Sequence, residues 1–112
     1  MKKVDHIAML VDNLEEAQQW YEENLGALLV FSDKFYKRMK VSNTTIALID
    51  KTHYQHQHVG ILVDKKENLP KEGKRIHHRD GTIGVYTFDP SGNCIEFIYY
   101  SPEMKKKLNE SI

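Results

Sequence analysis

The sequence predicts an α+β fold, with two degenerate β-α-β-β-β units forming a curved mixed sheet and the second helix shortened. Three observations predict it. The heptad His6-Ile7-Ala8-Met9-Leu10-Val11-Asp12 is matched class by class by His58-Val59-Gly60-Ile61-Leu62-Val63-Asp64, with His, Leu, Val and Asp identical. An amphipathic helical stretch follows the first copy. Each half then continues as three short strand-like runs parted by turn residues. Self-similarity of this kind marks a duplicated supersecondary unit.

The elements follow in order. Val4 to Val11 reads as a buried strand. Asn13 offers a helix N-cap, with Glu16 three residues on as its capping-box partner. Leu14, Ala17, Tyr21 and Leu25 recur at helical spacing, and Gly26 stands where a C-terminal glycine belongs. Leu28 to Ser32, Phe35 to Val41 and Thr45 to Ile49 read as strands, with Asp33-Lys34 and Ser42-Asn43 as turns. The pattern restarts at His58, with Val59 to Val63 as a strand. Lys65 to Gly73 is polar and broken by Pro70, so one or two helical turns at most are expected. Arg75 to His78, Ile83 to Phe88 and Cys94 to Tyr100 are the remaining strands. Arg79-Asp80-Gly81 and Asp89-Pro90-Ser91-Gly92-Asn93 separate them. Ser101-Pro102 opens a short C-terminal helix.

A chain of 112 residues with 40% hydrophobic content can form one domain with a packed core. The expected division is 1–50 for the first unit, 58–100 for the second and 101–112 for the last helix. Sixteen basic residues balance sixteen acidic ones, which argues against nucleic acid as a partner. No apolar run reaches the length that spans a bilayer, and no signal-peptide pattern stands at Met1-Lys2-Lys3. One cysteine makes no internal disulfide. These absences give the cytoplasm as the expected compartment.

The chemistry lies in two histidines that open similar strands and one glutamate in the last strand. Strand alternation puts His6, Ala8 and Leu10 on one face, and His58, Gly60 and Leu62 on one face. Cys94, Glu96, Ile98 and Tyr100 share a face of the last strand. A carboxylate at Glu96, between Ile95 and Phe97, is costly to bury unless it is paired or ligates a cation. Arg75, Arg79 and Lys40 are candidate ion-pair partners. His6, His58 and Glu96 together make a candidate site for a divalent metal. Nitrogen and carboxylate donors suit zinc, iron, manganese, nickel and cobalt alike. His56, Cys94 and Tyr100 are candidate substrate-binding residues beside it.

Asp5-His6-Ile7-Ala8 with its following helix, His58-Val59-Gly60, and Asp89-Pro90-Ser91-Gly92-Asn93 followed by Glu96 together resemble the vicinal oxygen chelate superfamily. That group holds glyoxalases, epimerases, extradiol dioxygenases, fosfomycin-resistance enzymes and bleomycin-binding proteins. The resemblance covers nearly the whole chain and implies a single glyoxalase-like domain. It implies metal ligands at His6, His58 and Glu96, with Glu96 also the candidate catalytic residue. The family's fourth-strand ligand falls at about Ala47, which cannot ligate, and Asp50 should face the other way. Two histidines and one carboxylate resemble the three-ligand dioxygenases and thiol transferases. The implied function is a small metal-dependent enzyme acting on a small substrate with neighbouring oxygens, as a lyase, isomerase, dioxygenase or thiol transferase. The alternatives are a metal-free binding or resistance protein using the same groove, and a dimer with a dead site. A homodimer is expected, because the shortened second helix cannot cover a full sheet back. No membrane partner is expected.

Overall fold

The computed structural model describes residues 2–78 and 81–111, with side chains as far as Lys107. The elements are β1 (Lys3–Val11), α1 (Leu14–Leu25), β2 (Leu28–Ser32), β3 (Tyr36–Val41), β4 (Thr44–Asp50), β5 (His58–Leu62), a 3-10 turn at Lys66–Asn68, β6 (Lys74–His77), β7 (Ile83–Phe88), β8 (Cys94–Tyr99) and α2 (Pro102–Ser111). The expected α+β class and the repeated β-α-β-β-β order stand, and the second helix is reduced to that 3-10 turn. The turn at Arg79-Asp80-Gly81 lies, for its first two residues, outside the described residues.

The chain forms two compact units. One is His6–His58, and the other joins Met1–Asp5 to Val59–Ile112. In the first unit the strand order is β2-β3-β4-β1. β1 runs parallel to β4, with His6 opposite Thr45 and Ala8 opposite Ala47. β3 is antiparallel to β4 and to β2. This mixture of directions follows from topology: the long α1 crossover returns the chain parallel to β1's neighbour, while short turns give antiparallel pairs.

α1 forms because both ends are chemically terminated. The Asn13 side chain accepts from the Glu16 N–H at 2.9 Å. Gly26 takes the left-handed conformation at φ 64°. The Gly26 and Ala27 N–H groups then reach back to the carbonyls of Glu22 and Tyr21, closing the last turn. Leu14, Ala17 and Tyr21 pack on a core of Ala27, Met39 and Leu48. Leu25 does not join them; it and Trp20 remain about half exposed. Leu25 is the last residue of the helix, so no following turn covers that side chain. On the opposite face of the sheet Ala8, Ala47 and Ile49 pack with Leu10 and Tyr36. Lys37 points under α1, where its ammonium meets Ser32 Oγ at 3.1 Å and Glu15 at 3.3 Å. Its apolar stem fills the interior while the head finds oxygen.

In the second unit the order is β5-β8-β7-β6. β7 is antiparallel to both β6 and β8. One face carries Val63, Leu69, Ile83 and Val85, packed with Phe97 and Tyr99. Leu69, just past the 3-10 turn, supplies the cover that a full helix gives in the first unit. From α2, Lys105 places its ammonium 5.4 Å from the Tyr99 ring centre. The turn before β8 is held by Asp89, whose carboxylate accepts from the N–H groups of Ser91 and Asn93 and from the Asn93 side-chain amide, each at 2.9 Å. Gly92 supplies the positive φ of 88° that this turn requires.

Candidate functional site

The first unit brings His6 and His58 together. His6 sits on β1, buried at 6% exposure, between Val4 and Ala8 on its strand face and opposite Thr45 of β4. His58 opens β5 and is half-buried. Their Nε2 atoms are 3.1 Å apart. The ring centres are 5.2 Å apart and the planes cross at 85°. Such a separation serves an N–H···N hydrogen bond, one ring donating to the other. It also suits two ligands of one ion. Nitrogens about 2.1 Å from a first-row cation stand about 3.0 Å apart at a right angle and about 3.4 Å at the tetrahedral angle. The separation of the two nitrogens is therefore that of adjacent ligands on one metal.

Glu96 lies in the second unit, on β8, buried at 5% exposure. Burial alternates along β8 as the sequence pattern requires, with Cys94, Glu96, Ile98 and then Tyr100 buried. Across β7, Tyr86 stands opposite Glu96 and Gly84 opposite Ile98. Gly84 matters to the carboxylate. A Cβ built there would fall 2.6 Å from Glu96 Oε2. The side chain of Glu96 thus lies over a position that only glycine leaves open.

The substrate-side candidates are placed as follows. Cys94 is buried, and burial first, then the Glu96 charge, push its thiol pKa upward. The thiol is protonated and behaves as a small apolar group. Tyr100 is buried and its hydroxyl donates to Asp5 Oδ2 at 2.7 Å. His56 is exposed in the stretch before β5. His77 and His78 are both exposed.

Ala47 is buried in regular register with Ala8, and no bulge interrupts β4 there. Asp50 does not replace it as a ligand. Its Oδ1 accepts from the backbone and hydroxyl of Thr52, and those hydrogen bonds lower its pKa. Sequence reasoning left Arg38 unplaced; it stands opposite Ala47 on β3. In the run Tyr36-Lys37-Arg38-Met39-Lys40 several polar residues compete, and only the register shows which of them share the His6 face.

Residues 3–102 match the family model described as Glyoxalase/Bleomycin resistance protein/Dioxygenase superfamily. The chain therefore belongs to that superfamily. Among solved structures it is similar to methylmalonyl-CoA epimerase from Mycobacterium tuberculosis, with TM-score 0.70 and 17% identity over 92% of this chain and 91% of that one. A superfamily member from Vibrio splendidus aligns with TM-score 0.65 and 8% identity, over 88% of this chain and 99% of that one. An extradiol ring-cleaving dioxygenase from B. fuscum aligns with TM-score 0.63 and 15% identity, over 95% of this chain and 36% of that one. At these identities the likeness shows the fold. No curated protein matches the sequence. Among the described residues no helix is long and apolar enough to cross a membrane.

Proposed function

We propose that this protein is a metal-dependent enzyme of the vicinal oxygen chelate type. It holds one divalent cation through His6, His58 and Glu96 and acts on a small substrate with two neighbouring oxygens. The observation that carries the reading is the 3.1 Å separation of the two histidine Nε2 atoms, the spacing of adjacent ligands on a first-row metal. Two further facts support it. Glu96 is buried in a mainly apolar strand, where a cation offsets the cost of a carboxylate. Each of the three side chains also offers one ligand atom of a kind such metals accept.

Each residue then has a distinct task. The histidines orient the cation, and Glu96 offsets part of its charge. Alanine at position 47 leaves a coordination place open to substrate. Cys94, on the face of Glu96, lines the substrate side with a small neutral group. Tyr100 contributes its ring, because its hydroxyl is engaged by Asp5. His56, exposed before β5, stands ready to meet an incoming ligand. When bound, the cation supplies Lewis acidity that polarises the substrate oxygens and stabilises developing negative charge. We also propose a homodimer, since Phe97 and Tyr99 are only half-buried beneath the shortened cover of the second unit.

The test is metal content of the purified protein by elemental mass spectrometry, with His58→Ala alongside. The expected result is about one transition metal per chain, lost in the variant. No metal in either, and none taken up on reconstitution with zinc, iron, manganese, nickel or cobalt, sinks the reading.

A further inference from the structure

We propose that Gln57 is a positioning residue for the histidine pair. Its side-chain carbonyl, bound to the N–H of Leu10, fixes the direction in which the chain arrives at His58 and so brings the His58 ring to that of His6. This rests on the function proposed above and names a residue that prepares the same site for its cation.

His58 follows a segment, residues 51–57, that forms neither helix nor strand. The near end of this segment is pinned to the end of β4. Thr52 donates from its backbone and its hydroxyl to Asp50 Oδ1, and the His53 and Tyr54 N–H groups donate to the Asp50 carbonyl at 3.0 Å. The His53 ring lies stacked on Phe35, with 4.1 Å between centres and 7° between planes. The far end is held by Gln57, whose Oε1 accepts from the Leu10 N–H at 3.2 Å. Successive residues of a strand aim their N–H and C=O groups at opposite edges. The Val11 carbonyl accepts from Lys51 on the β4 side, so the Leu10 N–H points to the other edge of β1. There it meets the oxygen of a side chain next door to His58.

Two neighbouring residues, Gln57 and His58, thus touch β1 at Leu10 and at His6. Those positions lie about 13 Å apart along the strand, at about 3.3 Å per residue. One contact leaves a chain free to swivel about it, whereas two contacts far apart fix its direction. His58 is the first residue of β5, so the chain before it sets the angle of entry. That angle matters, because ligand atoms serve a metal only when held within about 0.5 Å of place. The Gln57 bond has no comparable structural use. It is exposed, and an exposed N–H takes water as readily as it takes a glutamine. Its removal therefore changes little in stability, while the 3.1 Å separation of the two Nε2 atoms depends on it.

The experiment uses the full chain, metal-free for structure and with zinc as the probe for affinity. Contact between the His6 and His58 rings is read by NMR as a nuclear Overhauser effect between their ring protons. Zinc affinity is read by competition with a chromophoric indicator. Gln57→Met keeps the length of the side chain and removes the acceptor, and Gln57→Glu keeps an acceptor oxygen. Wild type should show the ring contact. Gln57→Met should lose most of it and bind zinc about tenfold or more weakly, as when a ligand's support is removed, with its urea midpoint nearly unchanged. Gln57→Glu should restore the ring contact. An undiminished contact in Gln57→Met overturns the proposal, as does a contact that Gln57→Glu fails to restore, or one absent from folded wild type. A Gln57→Met chain that no longer folds overturns it too, since the bond would then serve stability. So does unchanged zinc affinity beside a lost contact, because the site would then form without Gln57. A wild type that takes up no zinc counts against the metal reading alone, and the metal-free ring contact still judges Gln57.

Discussion

At the scale of single residues, Gly84 tests the role of Glu96 without touching a ligand. The atoms that a new Cβ would meet all belong to the Glu96 side chain, beginning with Oε2 at 2.6 Å. A carboxylate can swing aside cheaply, so Gly84→Ala should change unfolding free energy by only about 1 kcal/mol or less. The swing re-aims the proposed ligand, and metal affinity should fall by about 10- to 100-fold, as when a ligand's support is removed. Urea unfolding and a competition titration against a metal indicator separate the two effects. Equal metal affinity in the variant would remove Glu96 from the ligand set. Glu96 was legible in the sequence because a lone acid in an apolar strand needs an explanation. The placing of Arg38 was not, because a surface-like run of lysine and arginine carries no mark of which members share the His6 face. Lys37 shows the same blindness in reverse. It looks like solvated charge, yet it is buried at 5% exposure.

At the scale of elements, the local chemistry of caps and turns was the readable part. Asn13, Gly26 and the Asp89-to-Asn93 turn all act as their residue types predict, since each works through its own backbone neighbourhood. Strand ends were readable only to within a residue, because pairing partners distant in sequence set them. β5 starts at His58 and stops at Leu62 for this reason, although the Val63 N–H still donates to Ile98 at 2.9 Å. The Asp89 turn also makes a pH prediction. The hydrogen bond from the Asn93 side chain, followed by those from the backbone N–H groups, holds the Asp89 pKa below its ordinary 3.8. The stabilisation from the charged form is complete above that unfolded value. It is lost as pH falls through the lower folded value. The difference in urea midpoint between wild type and Asp89→Ala should stay constant from neutral pH down to about pH 4 and shrink in stronger acid. A difference that grows in acid would contradict the assignment.

At the scale of the molecule, the duplicated order was legible from the two heptads with the helix and strand runs that follow them, but the interleaving of the two compact units along the chain was not. The second unit takes its first residues from the N-terminal end of β1 and the rest from beyond His58. The bond from the Tyr100 hydroxyl to Asp5, at 2.7 Å, ties residues 95 positions apart within that unit. Tyr100→Phe should cost about 1 to 3 kcal/mol, the usual worth of a hydrogen bond to a charged acceptor. Urea unfolding at neutral pH reads it, and a loss below the error of the midpoint would show the bond to be dispensable. The same interleaving sets an order of events on the ribosome. His6–His58 is one uninterrupted stretch, so it can mature as soon as it has emerged. Its companion opens with residues made before that stretch and includes Tyr100, made well after it. At cellular translation speed roughly 5 to 19 seconds pass between Asp5 and Tyr100. Late in that interval Val63, Leu69, Ile83 and Val85 stand without Phe97 and Tyr99, and a nascent chain halted there is the form that a holding chaperone would meet.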